Sequence, residues 1–450
     1  MASADSLNPM RGLPVAGTDY LTLIRGASAT PEALERLYQT ARRAGTASAF
    51  RGAIAVAHEE SPENLLYGAW YYRLHQPDAD GLSRRFAGVS TWAVPIGVVL
   101  GMGLWIFSDS TSFRVHTPLL IFLAAPLVAL AIVAFLATSG HRSLAQALAG
   151  VALGAMVAYV FLLPETITDS QGALILLHLP LLAWGAIGLA ALGWRSSSRA
   201  RFGFITKSLE AIGTGGVFGI AGGIFAVVAI GLFEVLDVQV PDLVVRLVVS
   251  LIAGLVTLIA IATVYDPALA PDQQEFGRGF GRLLNVLMRV LLALSLIVLV
   301  IYVVVVPFKF GAPFQDRTTL IIYNVMLFGV IAVLIGSTPV NSDDLSPRIQ
   351  SLLRGAIIAV AALTALVSLY ALAATVYRTA TFDGLTMNRT TIIGWNVINI
   401  ALLIALLVGQ IRARRENWAM AIQSVFAWGA IAYVTWVAVV GLALPWLFAR

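Results

Sequence analysis

The residues best equipped for chemistry lie in the stretch YRTATFDGLTMNRTTIIGWNVIN, residues 377–399, between two long apolar runs. It holds Arg378, Asp383, Asn388, Arg389, Asn396 and Asn399. Guanidinia, a carboxylate and primary amides can together hold a polar ligand, and each needs a partner when water is excluded. Asn396 and Asn399 are three apart and project from one helical face, while Asn324 and Tyr323 sit in an earlier apolar run. Two uses fit this set. It could line a polar cavity formed by Arg378, Asp383, Asn388, Arg389, Asn396, Asn399 and Asn324, or its amides could clamp neighbouring helices together.

Other polar positions inside apolar runs follow the same logic, since a charge in hydrocarbon costs several kcal/mol unless paired or wetted. Glu234 and Arg246 flank a short connection and could meet as an intramembrane ion pair, with Asp242, four before Arg246, as a competing partner. Arg289 lies one turn inside its run and can reach back to water. His178 stands alone, which suits a hydrogen-bonded packing residue. Asp343-Asp344, within NSDDLSP, reads as a solvated loop and helix cap, with a divalent cation as the sharper alternative. No histidine has a nucleophile and an acid at readable spacing, and no metal or cofactor motif is legible.

Two glycine-rich stretches invite a nucleotide-loop reading. GTGGVFGIAGG, residues 213–223, lacks the Gly-Lys-Ser/Thr ending and has Phe218 where a dinucleotide fingerprint needs glycine. Gly215, Gly219 and Gly223 instead recur every four residues, the spacing of close helix packing; Gly97 with Gly101 and Gly150 with Gly154 repeat it. GRGFGR, residues 277–282, follows no strand. Phe276, Arg278, Phe280 and Arg282 alternate at helical spacing and suit a short helix at an anionic lipid surface.

Composition dictates what must position these residues. Of 450 residues, 59% are hydrophobic and 12% charged, which excludes a water-soluble domain of ordinary make-up. The first 85 residues carry equal numbers of acidic and basic side chains; the basic excess falls on the rest. Arginines are scattered over short loops instead of forming one basic face, so nucleic acid is not an expected partner. The absence of cysteine removes disulfides, thiol nucleophiles and cysteine-ligated metal centres.

A crossing takes about 20 apolar residues. Eleven candidates satisfy this: 86–108, 117–138, 143–163, 173–194, 210–236, 243–265, 285–307, 319–337, 355–377, 391–411 and 418–447. The last is longer than one crossing needs and is expected to begin as an interfacial stretch around Trp418 or to tilt. With no secretory leader legible, the N-terminus is expected to stay inside. Fourteen loop arginines and lysines then face the cytoplasm against six outside, as the positive-inside bias requires. That threading puts the C-terminus and the 378–389 turn outside. Asp383-Gly384 marks the turn, and Thr386 or Thr390 can cap the helix that follows.

Residues 1–85 read as a small soluble helical domain. Thr30-Pro31-Glu32 and Ser61-Pro62-Glu63 are helix starts, with a weaker helix over 46–58 between them. The expected fold is all-α: this segment followed by a polytopic bundle over 86–450.

Tyr377-Arg378 before a short turn, then Gly384-Leu385-Thr386-Met387-Asn388-Arg389 leading into an apolar helix, resembles a signature in a family of uncharacterised bacterial multi-pass inner-membrane proteins. The resemblance implies a bacterial inner-membrane protein in which Arg378, Asn388 and Arg389 act as a unit, and it carries no activity over. Two functions remain open: a permease-like or transport-associated protein with an outward-facing polar cavity, or a non-catalytic scaffold or sensor whose N-terminal helices bind a cytoplasmic protein. Membrane lipids are expected partners in either case.

Overall fold

The computed structural model describes residues 19–43, 46–74, 89–109, 119–139, 143–162, 169–236, 238–277, 279–315, 317–341 and 345–448; the side chains of Glu234 and Asp383 are outside that description, as are Arg278, Asp343 and Asp344 entirely. The chain divides into two compact units, residues 1–87 and 88–450.

Among the described residues the first unit contains four helices, one more than the sequence suggests: α1 (Tyr20–Gly26), α2 (Pro31–Arg43), α3 (Ala47–Glu60) and α4 (Leu65–Leu74). Asp19 caps α1 by accepting from the amides of Leu21 and Thr22. The start of α4 is set by Asn64, whose Oδ1 accepts from Leu66 and Tyr67, rather than by Ser61 three residues earlier. Ile24, Leu34, Phe50, Ile54 and Trp70 form a dry core. Arg73 closes over it, its guanidinium 4.5 Å from the Trp70 ring and 2.7 Å from Glu35.

The second unit is a bundle of apolar rods. They are α5 (Val94–Ile106), α6 (Leu119–Leu136), α7 (Leu144–Leu162), α8 (Asp169–Leu192), α9 (Ser198–Val235), α10 (Asp242–Val264), α11 (Phe280–Val305), the short α12 (Ala312–Gln315), α13 (Arg317–Ser337), α14 (Pro347–Arg378), α15 (Met387–Arg412), α16 (Trp418–Ala438) and the terminal turn α17 (Leu444–Leu447). Among the described residues ten helices are long and apolar enough to cross a membrane. An eleventh, Thr91–Ile106, is shorter, so the expected first crossing is helical but reaches only about 24 Å of the roughly 30 Å hydrocarbon layer. The chain is therefore a multi-pass membrane protein with an all-helical fold.

Helix lengths correct two expectations. Residues 198–209, read as loop, continue α9 without a break into a rod of 38 residues, about 57 Å long. The last apolar run is one rod interrupted by a wide π turn at Val439–Ala443. Trp418 at its start is buried, its indole donating to Gln350 at 3.2 Å, so it is a packing residue and not an interfacial anchor.

Packing concentrates in two cores. Leu123, Leu153, Ile175 and Ala183 join α6, α7 and α8. Leu292, Leu334, Ile357, Leu403 and Ile422 join α11, α13, α14, α15 and α16, with Phe202 of α9 packed among them. The closest crossing is between α5 and α10. A Cβ on Gly254 would lie 2.4 Å from the Gly97 carbonyl oxygen, and one on Gly101 would lie 2.7 Å from the Leu251 Cα. The other glycine rows behave differently. Gly215 has only the Ala260 Cβ near it, at 3.9 Å, and Gly219, Gly223, Gly150 and Gly154 have nothing within 4 Å. Where α9 meets α10 the tight contact belongs to Gly222, whose Cβ would meet Ile252 at 2.7 Å, one residue away from the expected row. A four-residue spacing marks a smooth face, but the partner helix decides which face is used.

Gly254→Ala should therefore lower the midpoint of heat-induced aggregation in detergent, since overpacking against backbone costs about 1–3 kcal/mol. Gly223→Ala should leave it unchanged or raise it, by up to about 1 kcal/mol of helix propensity. Equal effects at the two sites would contradict this packing.

Candidate binding cavity at the arginine-rich helix ends

The described polar side chains around 378–399 bond mainly to neighbouring helices and turns. Asn396 donates through Nδ2 to Asn324 Oδ1 at 2.9 Å, joining α15 to α13, and Asn399 accepts from the Tyr433 hydroxyl, joining α15 to α16. Both amides are buried to 1% exposure or less. His178 Nδ1 lies 2.7 Å from the Leu174 carbonyl, which can only accept, so Nδ1 carries the proton and Nε2 accepts from the Trp395 indole at 3.1 Å. These are interhelical clamps. Asn396 Oδ1 and Asn399 Nδ2 keep no partner among the described residues.

Nearer the surface, Arg378 donates to the Gln315 carbonyl at 2.7 Å and ties α14 to α12. Arg389 turns back to the Gly384 carbonyl at 2.9 Å. Thr386 supplies the expected cap to the Arg389 amide. Asn388 is half-buried beside it. Arg246 takes Asp242 at 2.9 Å, its competing partner, with Asp109 at 4.0 Å. The proposed Glu234 partnership lies outside the described residues.

At the other end of the helices is a cavity of about 450 Å³, between the third and fourth turns of α9, the first turns of α11, the end of α13 and the segment leading to α14. Thr206, Glu210, Arg282, Asn285, Arg289 and Asn341 supply its polar wall. Glu210 and Lys207, one turn apart on α9, form a salt bridge at 2.7 Å with side-chain exposures of 11% and 3%. Gly281 makes room for this pair, because a Cβ there would lie 2.7 Å from Glu210 Oε1.

Loops are fixed around the cavity. Gln274 exchanges hydrogen bonds with the Asp266 backbone, donating at 2.8 Å and accepting at 3.0 Å. Gly277 and Gly279 adopt φ of 76° and 54°, which breaks the chain before α11 begins at Phe280. The expected amphipathic helix over 276–282 therefore does not form. Phe276 packs under the Lys207 ammonium, 5.1 Å from ring centre to Nζ, and Phe280 packs on Gly213. Arg282 is exposed, and Arg278 is outside the described residues. Across the cavity, Gln423 holds the Pro339 carbonyl at 2.8 Å and Arg199 donates to Asn341 Oδ1 at 3.0 Å.

Sequence reading counts Lys207 only among the loop cations that set orientation and does not single out Glu210, because the apolar run begins at Glu210. The available signal was their three-residue spacing at the entry of a span, which puts both on one helical face.

Removing one partner of a buried pair strands the other charge, at about 3–5 kcal/mol, whereas removing both relieves it. Glu210→Leu should sharply reduce folded protein by size-exclusion analysis, and the double variant Lys207→Leu/Glu210→Leu should recover most of it. A double variant as damaged as the single one would contradict the pairing. Comparison with protein-family models, curated proteins and solved structures finds no match to this chain, so the cavity is read from its own geometry.

Proposed function

We propose that the chain is a permease-like or transport-associated protein of a bacterial inner membrane, N-terminus inside and C-terminus outside, whose ligand enters the cavity between α9, α11 and α13 from the cytoplasmic face. The observation that carries this reading is Glu210, in the wall of a 450 Å³ cavity with polar residues, where it is held in a buried salt bridge by Lys207 behind it. Ionisable groups at membrane depth are costly and mark ligand or ion pathways. The arginine distribution supports the orientation, because Arg199, Arg201, Arg282, Arg348 and Arg354 all belong to the helix ends around this opening. The family resemblance at 377–389 is consistent with such a protein and adds no substrate. Relative to the expected outward-facing cavity, the polar space lies at the opposite ends of α13 and α14.

The cysteine-free sequence provides the test. With Val340→Cys as a single reporter in the cavity wall, an uncharged polyethylene-glycol maleimide too large to cross a bilayer should label inverted vesicles and not intact spheroplasts. Labelling from neither side, or only from outside, would refute the reading.

A second reading, a scaffold or sensor that binds a cytoplasmic protein, is favoured by the separate core of the N-terminal unit and by Leu65 and Tyr72, which stand exposed on α4. Removing residues 1–80 should then abolish a stoichiometric partner while the Val340→Cys reporter still labels. A partner that persists would exclude it.

A further inference from the structure

Resting on the reading of this cavity as a ligand vestibule, we infer that it is a site for a phosphate-class dianion: inorganic phosphate, a phosphomonoester or the phosphate head of a lipid. Arg282 and Arg289 are seven residues apart on α11 and so stand two turns apart on one face, with Asn285 between them on the same face. All three line the cavity.

Among the described residues neither guanidinium has a hydrogen bond or ion pair, and Arg289 Nε is buried without a partner. A donor in that state is available to an acceptor that comes from outside the chain. Among the described residues the lining contains one carboxylate, that of Glu210, and it is already held by Lys207 at 2.7 Å. Among those residues neither guanidinium has a carboxylate partner.

Neutral donors complete the set. Arg199 donates to Asn341 Oδ1, so the Asn341 Nδ2 hydrogens are the part of that amide left for a ligand. The first turn of the 26-residue helix α11 has no side-chain cap, and Gly281 in that turn borders the cavity. Uncapped amides at a helix start favour an anion. Thr206 is spent on the Phe202 carbonyl as a donor and offers only lone pairs. Guanidinium forks match a phosphate's oxygens two at a time and are weakly hydrated, which suits a partly dry wall. The same charges exclude a metal cation.

The experiment uses the full chain with Val340→Cys in phosphatidylcholine vesicles and follows the rate of maleimide labelling at the cavity mouth. One arm adds inorganic phosphate against chloride at equal ionic strength; the other replaces part of the phosphatidylcholine with phosphatidic acid and omits phosphate. Labelling should slow about tenfold in at least one arm, and Arg282→Gln/Arg289→Gln should remove the protection, as two charge-assisted contacts would be lost. Protection by free phosphate assigns a soluble source, and protection by phosphatidic acid alone assigns a lipid head. Arg282→Gln alone, at an exposed position, keeps the test informative should the double variant fold poorly, and Arg348→Gln, outside the cavity, should leave protection intact. Labelling unaffected in both arms, or protection that survives the loss of the guanidinia, overturns the anion site while leaving the vestibule standing. No labelling in any condition overturns both.

Discussion

Hydrocarbon supplies no hydrogen bonds, and every polar group carried into it must be answered from within the protein. That demand makes the backbone helical from one side of the layer to the other, and it disciplines the side chains as well. Asn324 answers Asn396, Tyr433 answers Asn399, and the Trp395 indole answers His178. Each pair joins two helices that apolar contacts alone would hold with less directional preference. The amides in the middle of α15 thus fix the mutual rotation of α13, α15 and α16.

The same demand separates the two ends of the bundle. At the 378–389 end the guanidinia are consumed by backbone carbonyls, where they finish short helical pieces and turns. At the arginine-rich end Arg282 and Arg289 line a cavity instead, and among the described residues the one acid in that wall is held by a lysine. Charge used for closing structure and charge left for a visitor therefore lie at opposite ends of α13 and α14.

What the sequence disclosed follows from how local each property is. Crossings are legible because length and apolarity are properties of one segment, and the Thr386 cap is legible because it acts within three residues. Gly219 and Gly223 misled because their spacing describes one helix and says nothing about its neighbour; the partner meets Gly222. Phe276 and Phe280 misled because left-handed Gly277 and Gly279 break the helix that would have set them side by side. The N-terminal helix α1 went unseen because seven residues give too weak a period to read. Lys207 and Glu210 escaped notice because the hydropathy boundary falls between them while the helix runs straight through it.

That uninterrupted course gives α9 a mechanical character. It contains no proline, runs for 38 residues, and touches α10 tightly at Gly222, well along its length from Glu210. Membrane carriers that use broken helices can shift one half and spare the other. A stiff beam resting on a fulcrum has no such freedom: any tilt that widens or narrows the space beside Glu210 swings the far tip near Val235 in the opposite sense.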